Sequence, residues 1–335
     1  MKKLLLASLL AFSTAILPID TALAGEKATP TAKLAPSKLD IASHLQDVSV
    51  TIRSEGGWSS GEGSGVIFTR KNKNGDLVNF VWTAGHVIDN LRTERRVLVN
   101  GSPRTLVEFK DAKIIKVIRQ NGRSVGRLEL DAEVIKYSDA DDGHDLALLR
   151  VRKLNFVKDS VTFYLDDKLL PLGTDLWHVG SLLGQLGSNS MTDGIYSQHG
   201  RILTGLNKRI FDQTTVAAFP GSSGGGVYLK NDGRYVGMIV RGAGETFNLI
   251  VPIRRMTAWA KENDLMWALD HNTPMPSRAD VDKMDVESDG LYFPNSREAG
   301  ETKAKGFPFL LKTKSDCKCK TCGPLCGCGC GSDKN

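Results

Sequence analysis

The chain has 335 residues, 41% of them apolar, and a formal net charge of +6 at pH 7. That length suits one large or two small domains, and that apolar share suits an ordinary globular core. So mild a positive balance, part of it in Lys2, Lys3 and a lysine-bearing tail, argues against a nucleic-acid-binding protein.

Residues 1–24 read as a signal peptide. Lys2 and Lys3 precede an apolar run from Leu4 to about Ile19, and Ala22-Leu23-Ala24 is a small-x-small cleavage signal. The run is short for a membrane span, and no other stretch nears the ~18 apolar residues a span needs. The expectation is an exported protein, periplasmic or extracellular, with no span in the mature chain. Residues 25–38, with Pro30 and Pro36 among polar residues, read as a linker. The main domain is placed at 39–270. A short helix is expected over Leu39–Asp47, followed by strands over Val48–Arg53, Gly65–Arg70, Leu77–Thr83, Arg96–Val99, Lys113–Arg119, Leu128–Lys136 and Leu146–Val151. A second set runs through Trp177–Leu183, Gly194–Ser197, Thr214–Phe219, Gly225–Leu229, Tyr235–Val240 and Phe247–Val251. Strands at this spacing suggest an all-β fold of two antiparallel barrels. Over Arg254–Asp270, Met256, Trp259, Ala260, Leu265, Met266 and Leu269 recur at helical spacing and predict a closing helix. Residues 271–315 mix Pro, Gly, Ser, Asp and Lys and read as a low-order linker, and 316–335 form a cysteine-rich tail.

Three segments carry side chains suited to acyl transfer by a serine, which needs a base beside the hydroxyl, an acid to orient the base, and N–H donors for the oxyanion. VWTAGHVID sets His86 just after an apolar strand, HDLALLRV sets Asp145 just before one, and PGSSGGGV sets Ser223 in a glycine-rich turn. Asp139, Asp141 and Asp142 stand close enough in sequence to rival Asp145, and Ser222 rivals Ser223. His144 is expected at the surface, because neighbours in a strand point to opposite faces. His178 and His199 carry no motif and read as structural.

Gly221-Ser222-Ser223-Gly224-Gly225 resembles the G-x-S-G-G turn of chymotrypsin-like serine proteases. Thr83-Ala84-Gly85-His86 resembles the histidine motif of the bacterial high-temperature-requirement (HtrA) branch, and Asp145-Leu146-Ala147-Leu148-Leu149 its aspartate motif. Gln213-Thr214-Thr215-Val216-Ala217-Ala218 resembles the lead into its serine motif. Val179-Gly180-Ser181 and Thr192-Asp193-Gly194-Ile195-Tyr196-Ser197 are weaker matches, and coverage is about residues 42–265. The resemblance implies two antiparallel six-stranded barrels with a C-terminal helix, and a serine endopeptidase acting on proteins or peptides without a cofactor. It implies His86 as general base, Asp145 as its orienting partner, Ser223 as nucleophile, and the N–H groups of Gly221 and Ser223 as the oxyanion hole. It places Ala217 at the base of the primary pocket, where the lack of an acid disfavours Lys or Arg and favours small or medium apolar side chains. Ile239, Val240 and Arg241 are expected to pair with substrate backbone. Arg241 either enters the pocket and favours an acidic residue or is a solvated edge charge. The chain departs from the branch in lacking a recognisable PDZ pattern over 272–335, and from trypsin in lacking an Ile-Val-Gly-Gly activation site. The stretch between His86 and Asp145 is long and implies extra hairpins around Leu106–Val134.

The chain's six cysteines, Cys317, Cys319, Cys322, Cys326, Cys328 and Cys330, all lie in the tail, so the main domain folds without disulfides. Three readings of the tail stand open: a thiolate site for Zn or Cu(I), a set of disulfides, or a low-complexity segment. The sequence therefore carries an enzyme reading, a catalytically silent binding protein on a protease scaffold, and a metal-binding protein acting through its tail.

Overall fold

In a computed structural model the described residues are 38–57, 59–99, 102–203, 209–242 and 245–287. The residues read as a signal peptide, 1–24, and as a cysteine-rich tail, 316–335, lie outside them, as do those read as a linker except Lys38, which begins the first helix.

A helix, α1 (Lys38–Asp47), opens the domain. The first barrel is built from β1 (Ser49–Gly56), β2 (Ser59–Lys71), β3 (Leu77–Thr83), β6 (Ala112–Gln120), β7 (Arg123–Ser138) and β8 (Leu146–Val151). It closes in the order β1-β2-β3-β8-β7-β6. Its core is set by cross-strand pairs such as Val66 with Trp82 and Phe68 with Phe80, all buried. The insertion before Asp145 forms β4 (Arg92–Val99) and β5 (Ser102–Phe109), a separate two-stranded hairpin, while β6 and β7 complete the barrel. The second barrel holds β9 (Asp175–Leu182), β10 (Gly187–Ile202), β11 (Ile210–Thr214), β12 (Gly226–Leu229), β13 (Tyr235–Gly242) and β14 (Asn248–Pro252). It closes as β10-β11-β14-β13-β12-β9. The all-β, two-barrel expectation holds, with six strands in each barrel.

Of the elements that differ from the sequence reading, two flank the second barrel's site loops. The apolar run expected as a strand over Thr214–Phe219 is a loop after β11. Its carbonyls are taken by side chains instead of a ladder: Val216 O accepts from Asn248 Nδ2 at 2.7 Å and Ala217 O from Thr192 Oγ1 at 2.7 Å. The closing helix is shorter than expected: α3 runs Ile253–Glu262. Asn263 Nδ2 bonds Trp259 O at 2.8 Å, and Asp264 turns left-handed at φ 56°. A 3-10 turn, Met266–Ala268, follows.

The chain after α3 returns from the second barrel to the first. Buried Arg70 donates to the carbonyls of Trp267 (2.7 Å), Asp270 (2.8 Å) and Thr273 (2.7 Å), and Trp82 Nε1 donates to Ala268 O at 2.8 Å. Residues beyond 271 stay on that barrel: Arg150 pairs with Asp282 at 2.5 Å, and Tyr137 N–H donates to Val286 O at 2.7 Å. A short helix, α4 (Arg278–Val281), lies between those contacts. This strap and the Thr51–Ser181 hydroxyl pair at 2.6 Å fix the two barrels against each other, so that loops from both meet in one cleft.

Candidate active site

His86 stands in a one-turn helix, α2 (Gly85–Ile88), directly after β3. Gly85 is required there, because a side chain would strike Ser138 O at 2.3 Å. Asp145 precedes β8 and is fully buried. Its carboxylate accepts from His86 Nδ1 at 2.9 Å and from the His86 backbone N–H at 3.0 Å. Burial opposes its ionisation, but the charge and hydrogen bonds of His86, with the charge of Arg241, outweigh that and hold the carboxyl below the usual range. Asp145 has φ 55°, a left-handed turn held by its own N–H on Asp139 O at 3.0 Å. That turn breaks strand alternation at His144, which is buried instead of exposed as expected, its pKa pushed down to about 3 by burial and by Arg209 and Arg255. Asp139 is engaged otherwise, accepting from the N–H groups of Asp141 (2.8 Å) and Asp142 (2.9 Å).

Ser223 lies in the turn before β12, and that turn is bound to both barrels. Its carbonyl accepts from Ser64 N–H at 2.7 Å. Gly224, at φ 86°, packs so closely under β3 that a Cβ would sit 2.4 Å from Thr83 Oγ1 and 3.1 Å from Ala84 N. The chain just after Ser223 thus touches the chain just before His86. A Cβ at Gly63 would meet both Val87, at 2.6 Å, and Ser223 O, at 3.1 Å. Ser223 is half-buried, and its hydroxyl has no hydrogen-bond partner among the described residues. The rival Ser222 is buried, with its hydroxyl accepting from Phe219 N–H at 3.1 Å.

The peptide groups around Ser223 are oriented by their carbonyls. Pro220 O accepts from Leu183 N–H at 2.7 Å, and Ser222 O from Gly225 N–H at 2.9 Å. In a trans peptide the N–H points opposite the C=O. The N–H groups of Gly221 and Ser223 are therefore turned away from those bonds, and neither has a partner among the described residues. Gly221 is at φ 93°, and a Cβ there would strike Ser181 O at 2.3 Å.

Sequence reading missed two residues that hold this geometry. Ser64, fully buried, donates its hydroxyl to Gly221 O at 2.7 Å and accepts from Ser181 N–H at 2.7 Å, while its carbonyl accepts from Thr83 Oγ1 at 2.8 Å. Leu183, placed in a strand by its sequence, is left-handed at φ 61° and ends β9 so that its N–H meets Pro220 O. Nothing in either residue type signals these contacts.

Of the expected substrate-binding residues, Ala217 is half-buried beside the turn, and Ile239 and Val240 lie in β13 next to it, with Gly224 N–H on Ile239 O at 2.8 Å. The ladder to β14 shifts register between Ile239 and Arg241, so Val240 sits at a bulge. Arg241 is not a solvated edge charge. Its Nε is buried and its Nη2 reaches Ala140 O at 3.3 Å, on the loop that carries Asp145. His178 is buried, as a structural histidine, with Nδ1 donating to Gly226 O at 3.0 Å and its pKa lowered to about 4 by burial. The tail cysteines lie outside the described residues. Within the described residues no three His, Cys, Asp or Glu side chains cluster as a metal site, and no helix is long and apolar enough to cross a membrane.

No curated protein matches the chain. Among solved structures, it is similar to an HtrA-type protease, AlgW, with a tripeptide: 21% identity and TM-score 0.48, over 69% of this chain and 64% of that one. It thus spans less than two thirds of that protein. It is also similar to Deg5 (18%, TM-score 0.48, covering 70% and 96% of the two chains). A serine endoprotease from Yersinia pestis gives 18% identity and TM-score 0.46, covering 70% of this chain and 68% of that one. The family model of the trypsin-like peptidase domain matches residues 63–238, more than half of the 335 residues. The chain belongs to the trypsin-like peptidase family.

Proposed function

We propose that the protein is an exported serine endopeptidase that hydrolyses peptide bonds through an acyl-enzyme. The observation that carries this reading is the paired His86 and Asp145 beside a turn in which the Gly221 and Ser223 N–H groups have no hydrogen-bond partner among the described residues. Ser223 Oγ attacks the scissile carbonyl while His86 Nε2 takes its proton. Asp145 fixes the Nδ1–H tautomer and stabilises the imidazolium. The carbonyl oxygen gains charge in the tetrahedral intermediate, and the two N–H groups stabilise it. His86 returns the proton to the leaving amine, and water then releases the acyl group by the same steps in reverse. No cofactor enters any step. Ala217, Ile239 and Val240 line the side on which the acyl segment binds.

The test is cleavage of an unfolded protein substrate by the purified mature chain. Ser223→Ala should lower turnover by on the order of a million-fold at an unchanged melting temperature. Equal cleavage by wild type and variant would remove the reading.

A further inference from the structure

Next to the loop that carries Asp145 lies a cluster of basic side chains for which the hydrolytic steps have no use. Arg255, in the first turn of α3, reaches two other elements at once. Its Nη1 donates to Ile210 O at 2.9 Å, at the start of β11, and its Nη2 donates to the carbonyl of His144, the residue before Asp145. Trp259 follows one turn later on the same face of α3, with its ring centroid 6.2 Å from that of His144. Arg209 immediately precedes Ile210, and Arg241 reaches Ala140 O on the Asp145 loop. Helix α3, the start of β11 and that loop therefore meet here.

Donors outnumber acceptors at this junction. Arg255 and His144 are only 8% and 7% exposed and Trp259 is fully buried, yet Arg255 Nε, His144 Nδ1 and Trp259 Nε1 have no hydrogen-bond partner. The buried Nε atoms of Arg209 and Arg241 have none either. No carboxylate among the described residues forms an ion pair with any of the three arginines, and that of Asp145 is committed to His86. Burial pushes the Arg255 guanidinium down to about 10; Asp145 opposes this, and the charges of Arg209 and Arg241 add to it. Arg70, similarly buried, shows the contrast: three carbonyls cap its guanidinium.

A buried donor without an acceptor is costly, and so is a buried cation without a counter-charge. Water would answer the first cost and leave the second, whereas an anion answers both. The donors come from three elements, which suits an acceptor with oxygens in several directions. We propose that Arg209, Arg255 and His144, flanked by Arg241 and Trp259, form a binding site for a small tetrahedral oxyanion, phosphate or sulfate, which ties α3 and the start of β11 to the Asp145 loop. This inference does not rest on the hydrolase reading above.

The experiment follows thermal unfolding and calorimetric titration of the purified mature chain, dialysed free of oxyanions, with potassium phosphate, sulfate or acetate at one pH and one ionic strength. Expected is saturable binding of phosphate or sulfate, with a melting-temperature rise on the order of 5 °C at a hundredfold the dissociation constant, and no comparable response to acetate. Arg209 makes no hydrogen bond or ion pair among the described residues, so Arg209→Gln should melt no lower than wild type without oxyanion. The same variant should bind phosphate about tenfold or more weakly, as should Arg255→Gln, while Arg95→Gln on the exposed hairpin should bind as wild type does. If Arg255→Gln does not fold, Arg209→Gln decides. Absence of saturable binding by either oxyanion overturns the inference, as does binding unchanged in Arg209→Gln or an equal response to acetate. Binding lost on capping Ser223 with a fluorophosphonate, yet untouched by Arg209→Gln, would place the anion in the cleft and overturn it too.

Discussion

Ser64→Ala removes one oxygen and should unsettle the site from a distance. That hydroxyl is fully buried, donating to Gly221 O at 2.7 Å and accepting from Ser181 N–H at 2.7 Å. Without it the carbonyl of half-buried Gly221 and the buried N–H of Ser181 both lose their partner, and each such loss costs up to about 1–3 kcal/mol. The sum is about 2–6 kcal/mol, a melting-temperature loss on the order of 10 °C for a domain of this size. The backbone bond from Ser64 N–H to Ser223 O survives, so the barrels stay joined. The Gly221–Ser222 peptide, which joins the two proposed oxyanion donors, then keeps only its Ser222 N–H bond to Phe219 O at 2.9 Å. Deleting an oxyanion donor outright costs about 10²–10³ in kcat; loosening one should cost about ten- to a hundredfold. Thermal unfolding and fluorophosphonate labelling rates read the two effects separately. A melting temperature within a degree of wild type with an unchanged labelling rate would refute the bridging role of Ser64.

Asp145→Asn should keep the fold and lower turnover by about 10⁴-fold, because an amide cannot hold His86 in the Nδ1–H tautomer; activity within tenfold of wild type would exclude Asp145 as the orienting acid. Leu183→Pro deletes the N–H on Pro220 O and forbids the left-handed φ, and should slow labelling by about ten- to a hundredfold, whereas Leu183→Gly, which keeps both, should leave it unchanged. Equal labelling by both variants would show that the bond is dispensable. Stability should also fall as pH drops from about 6.5 towards 4. His178 has a folded pKa of about 4 against about 6.5 unfolded, so the unfolded chain binds a proton that the native one refuses, and about 3 kcal/mol is lost between pH 7 and pH 4. Denaturant unfolding of His178→Asn, which retains a donor for Gly226 O, should show a shallower pH slope over that window; an identical slope would contradict a buried neutral histidine.

The barrels were legible because their strands are short, rich in Val, Ile and Leu, and broken by turn residues at regular spacing. His86, Asp145 and Ser223 could be singled out because each sits at a strand end in a local motif. What lay hidden depends on contacts distant in sequence. Ser64 reaches Gly221 across 157 positions. The Val216–Phe219 run looks like a strand because it is apolar, yet its carbonyls are claimed by Asn248 and Thr192. His144 was assigned to the surface by an alternation rule that the left-handed turn at Asp145 suspends. Arg241 could be read as pocket or edge, and the partner it takes, Ala140 O, lies about a hundred residues earlier where no local pattern reveals it.

The most direct measurement is labelling of the purified mature protein by a fluorophosphonate, with mass mapping of the adduct and Ser223→Ala as control. The account predicts one adduct, on Ser223, absent from the variant. A folded wild type that forms no adduct, or one whose adduct persists in Ser223→Ala, would contradict it.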